Sequence, residues 1–312
     1  MVTDTERSAT IAYMDNAASR AQTPAIPSPR DRRRGLWLGF VGVAAFSVTL
    51  PATRAAVVAL DPVFVGLGRA IVAAALAAAT LAWAGARLPP LRLWPRLAVV
   101  AAGVVVGFPL FSAWAMREVP AAHGAVVVGL LPLATAAAGA WLAHERPRRR
   151  FWICALLGSA VVVAFAIWQG GGSVQAADGF LVAAVLSAAI GYAEGARLVR
   201  ELGSWQVISW ALLLAAPLLA LPTYLTAPRE LAAVPWQAWA GFAYVAVVSM
   251  YVGFFAWYRG LALGGIAAVG QVQLLQPFLT IVASAILLGE RIEIATFVAA
   301  GLVIAAIALG RR

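Results

Sequence analysis

Residues 122–146, AHGAVVVGLLPLATAAAGAWLAHER, decide how this chain is read, because residues 267–291, AAVGQVQLLQPFLTIVASAILLGER, repeat them without a gap. The two stretches share Ala122/Ala267, Leu130/Leu275, Pro132/Pro277, Thr135/Thr280, Glu145/Glu290 and Arg146/Arg291, every pair 145 residues apart. Alanine and leucine matches mean little in so apolar a chain. A mid-segment proline and a terminal Glu-Arg at one constant spacing mean much more, and they mark an internal duplication.

Working outward, the surroundings of both stretches are apolar. Of the 312 residues, 63% are hydrophobic and 12% charged, with mean hydropathy +0.88, far below the roughly 25% charge of an average soluble domain. Because unpaired backbone amides cannot remain in lipid, such a chain crosses a bilayer as helices of about 20 residues. Ten spans are expected, at 36–56, 62–83, 95–115, 121–143, 151–168, 179–198, 204–223, 236–257, 265–288 and 293–310, joined by short turns such as Asp61-Pro62 and Pro89-Pro90. Residues 1–34, polar and proline-bearing, read as a disordered cytoplasmic tail. The repeats are then 35–170 and 178–312.

Charge tests this count. All 23 basic residues are arginine, and most lie between apolar runs, which is a topology signal rather than a nucleic-acid patch. With the amino terminus inside, the inner segments carry about four arginines for each one in the outer loops (Arg54, Arg117, Arg229 and Arg291). Both termini are therefore expected in the cytoplasm of a multi-pass cell-membrane protein. Five spans per half is an odd number, so the second half should be inverted, placing the Glu145 and Glu290 ends on opposite sides. Inverted repeats suit alternating access.

These residues resemble the drug/metabolite transporter superfamily, specifically the EamA type with two EamA repeats. The resemblance rests on Pro132 and Pro277 preceding Glu145-Arg146 and Gly289-Glu290-Arg291, with Trp114-Ala115-Met116 and Trp257-Tyr258-Arg259-Gly260-Leu261 before them. It implies an all-helical protein with ten transmembrane helices, both termini inside, a central cavity lined mainly by spans three, four, eight and nine, and often export of amino acids or other small metabolites. One departure is that His144 stands where the second repeat has Gly289.

Polar groups inside spans are the candidate site, since a central charge costs about 2.5 to 3.5 kcal/mol by insertion scales. Arg69 has no acid at helical spacing in its own span, so it must snorkel, pair with another helix or face a cavity able to hold a substrate carboxylate. Gln273 and Gln276, three apart, can wall a cavity that recognises a zwitterion or can cement helices. His123, Trp114, Tyr192 and Trp257 complete the binding candidates, each with packing as the plainer reading. Pro132 and Pro277 free a backbone carbonyl at mid-depth, for cavity lining or for helix shape alone. Glu145 and Glu290, at span ends, are read as structural carboxylates that reach water or bind amides in the first turn of the next helix, the alternative being a gating or coupling role. Glu194 is read as an ion pair with Arg197, or alternatively as a gating carboxylate. Gly103/Gly107 and Gly260/Gly264 are packing seams.

An enzyme is not expected: there is no intramembrane His-Asp or His-Glu cluster, metal-ligand spacing or phosphate loop, and a single cysteine, Cys154. No metal or cofactor is expected either. The partners are a small-molecule substrate and the lipid bilayer, no nucleic acid, with a homodimer left open. The expected function is a secondary transporter exporting amino acids or related metabolites, the alternatives being an importer or a lipid-modifying membrane enzyme.

Overall fold

The computed structural model describes residues 28–142, 149–169, 175–264, 269–291 and 293–310. They form helices α1 (Pro29–Val57), α2 (Phe64–Trp83), α3 (Leu91–Glu118), α4 (Ala121–Leu142), α5 (Arg149–Gln169), α6 (Ala176–Leu202), α7 (Ser204–Leu225), α8 (Trp236–Gly264), α9 (Val272–Leu288) and α10 (Ile294–Gly310), with no strand among the described residues. Seven of them, α1 to α4 and α6 to α8, are long and apolar enough to cross a membrane.

The first helix begins earlier than the sequence reading placed it. Ser28 caps it by accepting the Asp31 amide at 3.1 Å, with Pro29 in the first turn, so the expected tail already becomes helical at Pro29. Proline at the first helical position lacks only an amide that would have no helical partner, and Asp31 favours the positive end of the helix. The remainder of the expected tail, residues 1–27, lies outside the described residues, as does Glu145.

Small residues set the tightest packing. A Cβ built on Gly35 would sit 2.5 Å from the backbone nitrogen of Gly264, and one on Gly260 would sit 2.8 Å from that of Gly39. The backbones of α1 and α8 therefore touch. Gly103 of α3 likewise lies against Ser187 and Gly191 of α6. These are the seams that the glycine spacing suggested.

The most extensive helix pairings are kept when α1–α5 are exchanged for α6–α10. The α1·α8 contact has its counterpart in α6·α3, α6·α4 in α1·α9, while α2·α7, α4·α9 and α5·α10 map onto themselves. Local irregularities in α3, α4, α8 and α9 follow the same register, while the π segment of α2 over Phe64–Gly68 has no counterpart in α7. The α-helix of α4 breaks at Gly129 and restarts at Leu131, and that of α9 restarts at Gln276 after a 3-10 turn over Gln271–Leu275; the restarts are 145 residues apart, each one residue before its proline. Proline explains both breaks, because its ring cannot accept the preceding helical geometry. In α3 and α8 the irregularity is instead a wide π segment, Ala101–Gly107 and Val245–Val252.

Candidate functional site

A small cavity lies where the two halves meet. Arg69 enters it from α2, immediately after a π segment over Phe64–Gly68. The π segment of α3 contributes Val104, with Phe108 just beyond it, while α8 contributes Ser249, Met250 and Phe254. Helix α1 adds Phe46 and Thr49, α6 adds Ala188 and Tyr192, and α9 adds Gln276 just before Pro277. π-turns occur preferentially at functional sites because the extra residue displaces the helix axis and redirects side chains. All three π segments adjoin this cavity.

Arg69 is only 1% exposed, and its Nε and Nη1 atoms have no hydrogen-bond partner. Among the described residues it makes no ion pair. The two buried carboxylates, Asp178 and Glu194, are committed elsewhere. Glu194 of α6 accepts from Arg197 at 2.9 Å and also from Arg96 of α3, which bonds Glu201 at 2.7 Å as well. The intrahelical pair read from the sequence is thus one edge of a cluster that ties α3 to α6. Taking a carboxylate out of water costs several kcal/mol unless partners restore its bonds, and Glu194 has two such partners.

The rest of the lining is neutral. Thr49 and Ser249 hydrogen bond to each other at 2.8 Å, joining α1 to α8. The Phe46 and Tyr192 rings stack at 6.3 Å, and Phe254 lies 5.1 Å from Phe46 and 6.0 Å from Tyr192 between ring centres. Free space is about 20 Å³, room for about one water. The cavity must expand to admit a metabolite.

Of the sequence candidates, the structure brings Arg69, Tyr192 and Gln276 together here. Trp257 is fully buried behind them, 5.7 Å from Tyr192. Gln273 is buried with both amide atoms unpartnered, but it does not line the cavity; the 3-10 turn sets it apart from Gln276. Trp114 packs 5.3 Å from Phe180 in a separate open groove bounded by Asp61 and Arg117. Phe46, Thr49, Phe108, Ser249 and Phe254 went unnoticed in the sequence, where nothing separates them from ordinary packing residues.

Two expectations need correction. A His-Asp pair does exist: His123 Nε2 lies 2.7 Å from Asp178 Oδ1, with both side chains buried. Asp178 was overlooked because the span count began one residue after it. It also accepts the Gln175 amide at 2.9 Å, as part of the capping of α6. Second, the helix amides that Glu290 binds among the described residues belong to α4 and not to the helix that follows it. Its two carboxylate oxygens accept the amides of Ala121 and Ala122, at 2.9 and 3.0 Å, in the first turn of α4. Gly289, in the left-handed conformation at φ +65°, ends α9 and turns the chain so that Glu290 can reach there.

A bundle of apolar helices that encloses, among the described residues, a buried unpaired cation defines a multi-pass membrane protein with an internal polar site. The EamA-like transporter family model matches residues 33–167 and again 175–310. The chain belongs to this family and is a transporter. Over 277 residues it is 47% identical to "Uncharacterized transporter YdeK" of Bacillus subtilis (strain 168), covering 88% of this chain and 96% of that protein. A solved crystal structure, 22% identical, has the same fold with TM-score 0.65 over 89% of this chain and 96% of that one.

Proposed function

We propose that the protein is a secondary transporter exporting small carboxylate-bearing metabolites, amino acids included, by alternating access at the Arg69 cavity. All ten helices cross the membrane, the second repeat is inverted, and both termini are cytoplasmic. The observation that carries the substrate reading is Arg69: a buried guanidinium with unpartnered donors, in a cavity between the halves, can receive a carboxylate with two parallel bonds.

Several features support the inversion. Glu290 at the end of α9 touches the start of α4, so these equivalent helices run antiparallel. The most extensive helix pairings survive exchange of the halves, and the arginine bias favours opposite ends of the repeats on opposite sides. Seams built from glycine let whole helices shift as packed units, which is the movement alternating access requires.

The test is transport by purified protein in liposomes, challenged with an amino-acid panel with and without a pH gradient. Uptake by the wild type and its loss in Arg69→Gln, with normal membrane insertion, is the expected result. An unchanged rate in Arg69→Gln removes the cavity as the carboxylate site. Labelling of single cysteines in a Cys154→Ser background checks the inversion: Glu145→Cys and Glu290→Cys should react from opposite faces, and reaction from one face overturns it.

A further inference from the structure

We infer that the Arg69 cavity selects net-anionic organic acids, carboxylates without an ammonium group, over amino-acid zwitterions of the same shape. This rests on the reading of that cavity as the carboxylate site and narrows its substrate class by charge. Among the described residues, those lining the cavity include one cation, Arg69, and no acid. A zwitterion would satisfy the guanidinium but would bring in an ammonium for which the wall holds no counter-charge.

The buried carboxylates among the described residues cannot supply one. Asp178 is held by His123 and by the Gln175 amide. Glu194, two residues beyond Tyr192, is shared between Arg96 and Arg197, and Glu201 lies between Arg96 and Arg92. Moving Glu194 toward the cavity would strand the cations that surround it.

Neutral groups compensate only in part. Thr49 and Ser249 already bond each other. Phe46, Tyr192 and Phe254 pack ring against ring, and an aromatic face returns less to a cation than complete removal from water takes. These rings do suit the apolar body of an organic acid. An incoming carboxylate, by contrast, can bond one edge of a guanidinium that has donors without partners and neutralises the buried charge.

The experiment is counterflow in proteoliposomes, which needs no coupling ion, with one isobutyl group carried in three charge forms: 4-methyl-2-oxopentanoate, leucine and isopentylamine. Labelled 4-methyl-2-oxopentanoate should exchange, leucine should compete at least about tenfold more weakly (about 1.4 kcal/mol), and the amine should not compete. Arg69→Lys should keep this order with weaker competition throughout, and Arg69→Gln should bring the oxo acid and leucine to similar affinity. Leucine competing as well as or better than the oxo acid overturns the charge selection while leaving the carboxylate site standing. Competition by the amine alone overturns both, and recognition of none of the three overturns the selection. If Arg69→Gln fails to insert, the wild-type order and Arg69→Lys decide.

Discussion

Replacing Glu290 by alanine tests the contact that joins the repeats at the start of α4. The carboxylate accepts two backbone amides, at 2.9 and 3.0 Å, and these are helix donors with no intrahelical acceptor. Loss of a capping side chain costs about 0.5 to 2 kcal/mol, and removing a negative charge from a helix amino terminus adds about 0.3 to 1 kcal/mol. Glu290 is half-buried, so water replaces part of what is lost and a net cost of about 1 to 2 kcal/mol follows. Glu290→Gln keeps one oxygen acceptor without the charge and should lose roughly half as much. The assay is the apparent thermal midpoint of purified protein in detergent, where the alanine variant should fall by a few degrees. Glu293→Ala is the control, since this neighbouring acid is exposed. A wild-type midpoint in Glu290→Ala, or a glutamine variant less stable than the alanine one, refutes the capping argument.

Gly35→Val should destabilise by about 1 to 3 kcal/mol or prevent assembly, because its Cβ meets Gly264 backbone at 2.5 Å; Gly179→Ala, with open space around it, should gain up to about 1 kcal/mol by helix propensity, both read as thermal midpoints. Asp178→Asn removes the charged partner of His123 and weakens the capping of α6, so it should cost about 1 to 3 kcal/mol and increase amide hydrogen exchange at the start of α6. Arg96→Met leaves buried Glu194 with Arg197 alone and should cost about 1 to 3 kcal/mol, less than for a fully buried pair because Arg96 is partly exposed. Adding Glu194→Gln should recover part of that loss, and a double-mutant cycle on the midpoints measures it.

What was legible in the sequence was whatever costs free energy in an apolar setting. Pro132 and Pro277 could be placed as helix interruptions because proline breaks a helix by its own covalent structure, whatever surrounds it. Arg69 stood out because a lone cation within an apolar run needs compensation. The start of α1 was misread despite Ser28, Pro29 and Asp31, because the arginine run looked like solvated tail and outweighed three capping signals. Asp178 was missed for a similar reason: an acid at the edge of a span looks interfacial until another helix brings His123 against it.

The cavity wall was illegible because its residues are unremarkable along the chain and acquire meaning only across it. Thr49 and Ser249 are two hydroxyls 200 residues apart, and either alone reads as a helix residue bonding its own backbone. Their 2.8 Å contact follows from the close approach of α1 and α8, which glycines set. The π segments carry no comparable sequence mark, since AAGVVVG in α3 and VAVVSMYV in α8 share little beyond alanine and valine. Yet they occur at matching places in the two repeats and border the same cavity. A wide turn kept at one register in both halves, in sequences that otherwise differ, is hard to assign to local propensity. It fits a constraint imposed by the site, where each π segment swings its helix so that the two halves meet around Arg69. Straightening either segment by deleting one residue would rotate the following turn by about 100°, carrying Phe108 or Phe254 away from the cavity. Such a deletion should therefore impair substrate recognition even where the bundle still assembles.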